Sequence, residues 1–98
     1  MSFENEKEWR QIEFHDIPSR EEFERFTIQL LHDGISNSDR MRDRIRRDRR
    51  LILKKATGKW NNSPSDKFVN EHAFVLKDLV ERRVIEGITE MEYRLVGP

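Results

Sequence analysis

The 98-residue sequence contains no cysteine, and its four glycines are scattered along the chain. The absence of cysteine excludes disulfide bonds, thiolate nucleophiles and cysteine-ligated zinc. The scattered glycines exclude a glycine-rich loop that cradles phosphate groups. The three histidines, His15, His32 and His72, are far apart and match no metal-binding spacing. We therefore expect no catalytic residues, no metal and no cofactor, and we predict that the protein is not an enzyme.

Long apolar runs are also missing. Only 35% of the residues are hydrophobic, whereas 39% are charged, well above the roughly 25% of an ordinary globular domain. No apolar run is long enough to cross a membrane, and residues 1–6 lack the positive-then-apolar order of a signal peptide. We therefore expect one small domain over residues 1–98 with a thin core, located in the cytoplasm and without membrane contact.

A net charge is absent as well, because 19 lysines and arginines balance 19 aspartates and glutamates. This balance hides an asymmetry along the chain. Residues 38–60 contain ten basic and three acidic side chains, whereas residues 1–37 contain four basic and nine acidic ones. A basic block of this density is typical of a surface that binds phosphate or an acidic partner. The alternative is that the acidic first third folds against the basic block and neutralises it.

Two helices are predicted from their start signals. Ser19 is an N-cap with Glu22 three residues later, and the apolar residues that follow share one helical face, which predicts a helix ending near Gly34. Ser63 is a second N-cap, followed by proline at the first helical position. It predicts another helix to about Arg83.

The segment between these helices allows two interpretations. An N-cap within residues 36–39 starts a run in which Met41, Ile45 and Ile52 recur at helical spacing, with Asp48 interrupting the apolar stripe. One interpretation is a single long helix over residues 39–57. The other is a break near Asp48, followed by a short strand over residues 51–53.

The two ends of the chain show strand patterns. Residues 84–96 read as a β-hairpin, because the second half alternates apolar and polar side chains after a turn at residues 87–90. Residues 12–15 also alternate, so residues 1–17 are predicted to form an extended arm or a strand. The order of the elements predicts an α+β, mostly helical fold: a three-helix winged helix-turn-helix with a C-terminal hairpin.

Residues 67–85, followed by Tyr93-Arg94-Leu95, resemble the recognition helix and wing of winged-helix domains. They are most similar to the N-terminal domain of Mrr-type restriction proteins, in which an apolar helix exits through leucine, basic and apolar residues and a strand finishes with an aromatic residue, arginine and leucine. The resemblance covers the last third of the chain and implies binding to DNA. The sequence departs from it at the predicted wing tip, residues 87–90, which is acidic rather than basic.

The first functional hypothesis is a non-catalytic winged-helix protein that binds nucleic acid, with double-stranded DNA as the partner. An arginine-rich helix would contact phosphates without reading sequence, and binding would weaken with salt. The predicted contacts from the basic block are Arg42, Arg46, Arg47, Arg49, Arg50 and Lys54. The predicted contacts near the groove of the DNA are Lys67, Asn70 and Lys77.

The second hypothesis is a winged-helix module that binds protein and no nucleic acid. It includes a homodimer in which residues 1–37 of one copy cover the basic helix of the other. Phe74 discriminates between the hypotheses, because it falls on the outer face of the third helix, where a large apolar side chain is typical of an interface. An exposed Phe74 therefore favours the second hypothesis.

Two further residues carry specific expectations. His72 falls on the apolar face of the third helix, which predicts a hydrogen-bonded core residue rather than a ligand. Trp60 follows the basic block in a loop by composition, and we expect it to pack over the small core rather than to stack on a base.

Overall fold

A computed structural model describes residues 8–54 and 63–97 of the chain. The described part is α+β and mostly helical, as the sequence predicts, with three helices and two small sheets. In chain order the elements are β1 (Arg10–Gln11), a 3₁₀ helix (Phe14–Asp16), α1 (Arg20–His32), α2 (Ser38–Asp48), β2 (Leu51–Ile52), α3 (Pro64–Glu81), β3 (Ile85–Gly87) and β4 (Tyr93–Leu95). No helix within the described ranges is long and apolar enough to cross a membrane.

The helices begin where their capping residues place them. At the start of α1 the Ser19 hydroxyl accepts from the backbone N–H of Glu22 at 3.1 Å, and the Glu22 carboxylate accepts from the backbone N–H of Ser19 at 3.2 Å. At the starts of α2 and α3, the side chains of Asn37 and Ser63 accept from the backbone N–H groups of Arg40 and Asp66. These caps satisfy backbone donors that have no partner within the helix, so the predicted start of each helix is confirmed.

The second helix breaks at Asp48, so the interpretation as one long helix is wrong. After the break Arg50 adopts the left-handed conformation, with φ of 56°, and turns the chain into β2. Asp48 itself is exposed at the end of the helix and lies 3.6 Å from the Arg44 guanidinium, rather than facing the core. Lys54 consequently follows a strand and is not part of the arginine-rich helix.

The N-terminal segment differs from the extended arm or strand predicted over residues 1–17. The strand lies at Arg10–Gln11, where it pairs in parallel with β2, and residues 14–16 turn as a 3₁₀ helix. The reason is a local competitor for the backbone: the Asp16 carboxylate accepts from the backbone N–H of Glu13 at 2.9 Å and from the Arg10 guanidinium. Residues 1–7 of the predicted arm, and Trp60, lie outside the described residues.

The C-terminal hairpin forms as predicted and is tied to the connection between α1 and α2. Strands β3 and β4 pair antiparallel, with Ile85 opposite Leu95. On the other side of β4, the Tyr93 N–H donates to the Ser36 carbonyl at 3.0 Å and the Ser38 N–H donates to the Met91 carbonyl at 2.8 Å. The backbone of the connection between α1 and α2 therefore fixes the position of the hairpin.

The core lies between α1, α2 and α3. Phe23 of α1 and Phe68 of α3 are fully buried and pack edge to face, with ring centroids 5.3 Å apart. Met41, Leu51 and Ile85 close the core from α2, β2 and β3. A few large side chains thus supply the interior, as the low hydrophobic content predicts.

Candidate interaction surfaces

Arg46 and Arg49 of the basic block extend toward different elements, whereas Arg40, Arg44 and Arg47 are exposed along α2. Arg46 extends toward the sheet of β1 and β2, where its guanidinium lies 5.9 Å from the ring centroid of Trp9, the residue before β1. Arg49 extends toward α1, where it lies 3.1 Å from a carboxylate oxygen of Glu22 and 5.5 Å from the ring centroid of Phe26. The structure therefore separates side chains that the sequence groups together.

Acidic side chains neutralise much of the block from within the fold. Asp43 forms ion pairs with Arg46 and with Arg47, the second at 3.0 Å. Glu22, from the acidic first third, pairs with Arg49, and the pKa of its carboxyl is lowered by a backbone hydrogen bond from Ser19 and by that arginine. Residues 1–37 thus contribute the partner of Arg49, whereas the partner of Arg46 and Arg47 comes from the basic block itself.

Arg42 points inward and completes a buried polar cluster with His72 and Thr27. The Arg42 side chain is only 14% exposed, pairs with Asp39, and places Nη1 3.2 Å from His72 Nδ1. On the other side of the ring, Nε2 lies 3.0 Å from the Thr27 hydroxyl. His72 is thus a hydrogen-bonded core residue, as predicted, but its arginine partner was expected to lie on the outside of the fold.

The cluster fixes the protonation state of His72. The Thr27 hydroxyl donates to the Phe23 carbonyl at 2.7 Å, so it accepts from Nε2–H of the histidine. The other ring nitrogen, Nδ1, then carries a lone pair and accepts from Arg42. Burial, and secondarily the arginine charge, lower the pKa of His72 to about 3, so the ring is neutral at physiological pH.

The outer face of α3 carries the other predicted site residues together. Lys67, Asn70, Phe74 and Lys77 are all exposed on this face. Phe74 is 55% exposed, although the Arg20 guanidinium lies 5.2 Å from its ring centroid. This is the exposure that favours an interface over a DNA-binding monomer.

An apolar groove of about 630 Å³ separates α3 from the C-terminal hairpin. Its α3 wall contains Val69, Ala73, Leu76 and Val80, which recur at spacings of four, three and four residues. Its other wall includes Met91 of the hairpin. Val69, Ala73, Val80 and Met91 are exposed, so the groove presents an apolar surface to solvent.

The groove has a signal in the sequence. The stripe at residues 69, 73, 76 and 80 has helical periodicity and lies beside the stripe that forms the core. A helix with two neighbouring apolar stripes has more apolar surface than one core contact covers.

One group of potential metal ligands lies in the described part of the chain, at Glu13, His15 and Asp16. Both carboxylate oxygens of Asp16 already accept from the Arg10 guanidinium, which lowers the pKa of this carboxyl to about 2. The positive charge of Arg10 beside these ligands repels a metal ion. The three side chains are therefore explained by their contacts within the N-terminal segment, where Asp16 holds the turn at residues 13–16.

Comparison of the chain with models of protein families, with curated proteins and with solved structures finds no match. The assignment of a function therefore rests on the geometry and chemistry of the chain's own residues.

Proposed function

We propose that this protein is a non-catalytic winged-helix module that binds protein through α3 and the C-terminal hairpin. The observation that carries the proposal is the groove between these two elements, which exposes Val69, Ala73 and Val80 of α3 and Met91 of the hairpin. Phe74 and Val80 on α3 and Ile88 and Met91 on the hairpin are all exposed. Exposed apolar patches with a charged rim mark interaction sites in proteins of this size.

The winged-helix assignment is supported by the order and contacts of the elements. Three helices precede an antiparallel hairpin, and the connection between α1 and α2 pairs with the hairpin through an isolated bridge between Asn37 and Glu92, the residue before β4. The connection from α2 to α3 departs from a tight turn, because it includes β2 and spans residues 49–63.

The charge arrangement also supports protein as the partner. Phosphate binding along a duplex needs several cations on one surface, since each contact adds to the electrostatic attraction. In this chain Arg42, Arg46 and Arg49 extend toward different elements, and each has a carboxylate partner. The apolar groove, by contrast, offers a continuous surface whose burial would stabilise a complex.

Site-specific photocrosslinking tests the proposal. A benzoylphenylalanine in place of Ile88, at the hairpin, is expected to form covalent adducts with protein in the cells that make this chain. The matched control carries the same group in place of Arg44, on the exposed side of α2. We expect adducts from position 88, fewer when Phe74→Ser is added, and few from position 44. Equal yields from both positions would overturn the proposal.

A second candidate function, DNA binding through the same face of α3, is favoured by one observation. Lys67, Asn70 and Lys77 are exposed together, and neither lysine is in an ion pair within residues 8–54 and 63–97. Fluorescence anisotropy with labelled duplex DNA at about 50 and 200 mM salt tests it, since phosphate-driven binding weakens steeply over this range. Binding that is lost in Lys67→Ala with Lys77→Ala, but kept in Arg44→Ala, would establish this candidate.

A further inference from the structure

We infer that the protein partner is a second copy of this chain, and that the α3 helices of the two copies pack antiparallel about a two-fold axis at Phe74. The inference rests on the proposed function, because it uses Phe74, one of the exposed apolar residues of α3 named there. It adds the identity of the partner, the direction of the two helices and the register between them.

The register follows from the positions of two opposite charges. Lys67 and Glu81 are each seven residues from Phe74, one toward each end of α3. Seven residues are nearly two helical turns, or about 10 Å, so both charges lie close to the face of Phe74. A two-fold axis at Phe74 therefore places Lys67 of each copy opposite Glu81 of the other.

The same positions exclude the parallel arrangement. In a parallel pair of α3 helices, Lys67 would face Lys67 of the second copy and Glu81 would face Glu81 of the second copy, so both contacts would be repulsive. In the antiparallel pair both contacts are attractive. Helix pairing is selected in this way by charges beside an apolar contact, which set orientation more than affinity.

The two charges are available for such pairing. Lys67 and Glu81 are exposed, and among the described residues neither forms an ion pair. The other acids of the face are occupied within the chain. Glu71 lies 3.4 Å from the Arg20 guanidinium, and Asp78 lies 2.9 Å from that of Arg82. These arginines offset the repulsion that Glu71 and Asp78 would otherwise bring to the interface.

Phe74 supplies the apolar centre of the contact. It is 55% exposed, and an axis at this residue brings it against Phe74 of the second copy. Aromatic residues at the centre of an interface contribute most of its binding energy when surrounding contacts exclude water. Ala73, the neighbour of Phe74 in the sequence, is also exposed and lies on the side of the groove.

Charge reversal tests the inference in the full chain. Sedimentation equilibrium is expected to show a dimer that dissociates at least tenfold more readily in Lys67→Glu and in Glu81→Lys. The double variant with both reversals restores both ion pairs, so its dimerisation is expected to return to near the original level. Arg44→Glu, on α2, is the matched control and is expected to dimerise normally. Single reversals without effect, or a double variant that stays dissociated, would overturn the register.

Cysteine trapping tests the direction independently, because the chain has no cysteine of its own. Phe74→Cys places the two thiols at the axis, and at high protein concentration it is expected to form a disulfide-linked dimer on mild oxidation, because the disulfide traps even the weakened pair. Lys67→Cys alone lies about 20 Å from its mate in the antiparallel pair, beyond the reach of a disulfide, and is expected to stay monomeric. Lys67→Cys combined with Glu81→Cys is expected to crosslink. Efficient crosslinking by Lys67→Cys alone would mean a parallel pair and would overturn the inference.

The outcome also separates this inference from the proposed function. A chain that is monomeric at every concentration, yet forms adducts with a different protein from position 88, would overturn the second copy as partner and keep the interaction module. A monomer that forms no adducts would overturn both. Phe74→Ser should retain the circular dichroism of the parent chain, because the side chain it removes lies on the surface.

Discussion

The Arg42 guanidinium lies 3.2 Å from the imidazole of His72, Nη1 to Nδ1, and adds to the burial that keeps this ring neutral. The guanidinium donates to a nitrogen that would have to gain a proton for the ring to become charged. Burial disfavours a charged imidazole, and a protonated His72 would also be repelled by the positive charge of Arg42 at this short distance. Because Arg42 is in α2 and His72 is in α3, the protonation state of one side chain depends on the packing of two helices.

The stability of the domain should therefore fall as the pH falls below about 6.5. The pKa of His72 is about 3 in the folded chain and about 6.5 when unfolded, so between these values the unfolded chain binds one more proton. This residue alone contributes a slope approaching about 1.4 kcal/mol per pH unit. Urea unfolding at pH 7, 6 and 5 measures it. His72→Gln should lack this part of the slope; equal slopes in the two proteins would contradict the assignment.

Replacing the arginine tests the same contact from the other side. Arg42→Met leaves Nδ1 of His72 without its donor, which should lower the free energy of unfolding by about 1 to 3 kcal/mol. It should also raise the pKa of His72 above about 3, because one of its two causes is removed while burial remains. NMR titration of the imidazole measures this pKa. Arg40→Met, an exposed neighbour on α2, is the control and should change neither quantity.

The edge-to-face pair in the core should be the most sensitive apolar contact. Phe68 is fully buried against Phe23, so Phe68→Ala should lower the free energy of unfolding by about 3 to 5 kcal/mol. The total free energy of unfolding of such a domain is about 5 to 15 kcal/mol, so the variant should unfold at a much lower urea concentration. Phe74→Ala, which removes an exposed ring, should cost far less in the monomer. Similar losses in the two variants would show that the core lies elsewhere.

The end of α1 depends on the backbone freedom of one glycine. Gly34 has φ of 88°, and its N–H donates to the Leu31 carbonyl at 3.1 Å. An added Cβ would meet nothing within 4 Å, so the cost of Gly34→Ala comes from the backbone alone, about 1 to 2 kcal/mol. Thermal unfolding measures the loss. Gly97→Ala, which also meets nothing within 4 Å, should be neutral.

Sequence reasoning succeeded where the determining interactions are local. The caps at Ser19 and Ser63 act over three residues, so the helix starts were predictable. The pairing of Arg10 with Leu51 was not, because strands of two residues are too short to show a period and their partners are distant. The direction of Arg42 was missed for a related reason. On a helix with alternating charges, the neighbouring residues in the sequence do not show which arginine contacts a buried histidine and which is exposed to water.

The contacts of Ser36 and Ser38 with Tyr93 and Met91 bear on how the domain is made. During synthesis the first two helices leave the ribosome long before the strand that pairs with their connection. The backbone groups of Ser36 and Ser38 remain hydrogen-bonded to water until the last strand has been synthesised. Only then can they form their hydrogen bonds with the hairpin. Pairings between such distant residues form slowly, because the intervening chain must be ordered first. We therefore expect the domain to complete its folding only after its C-terminal strand has been released.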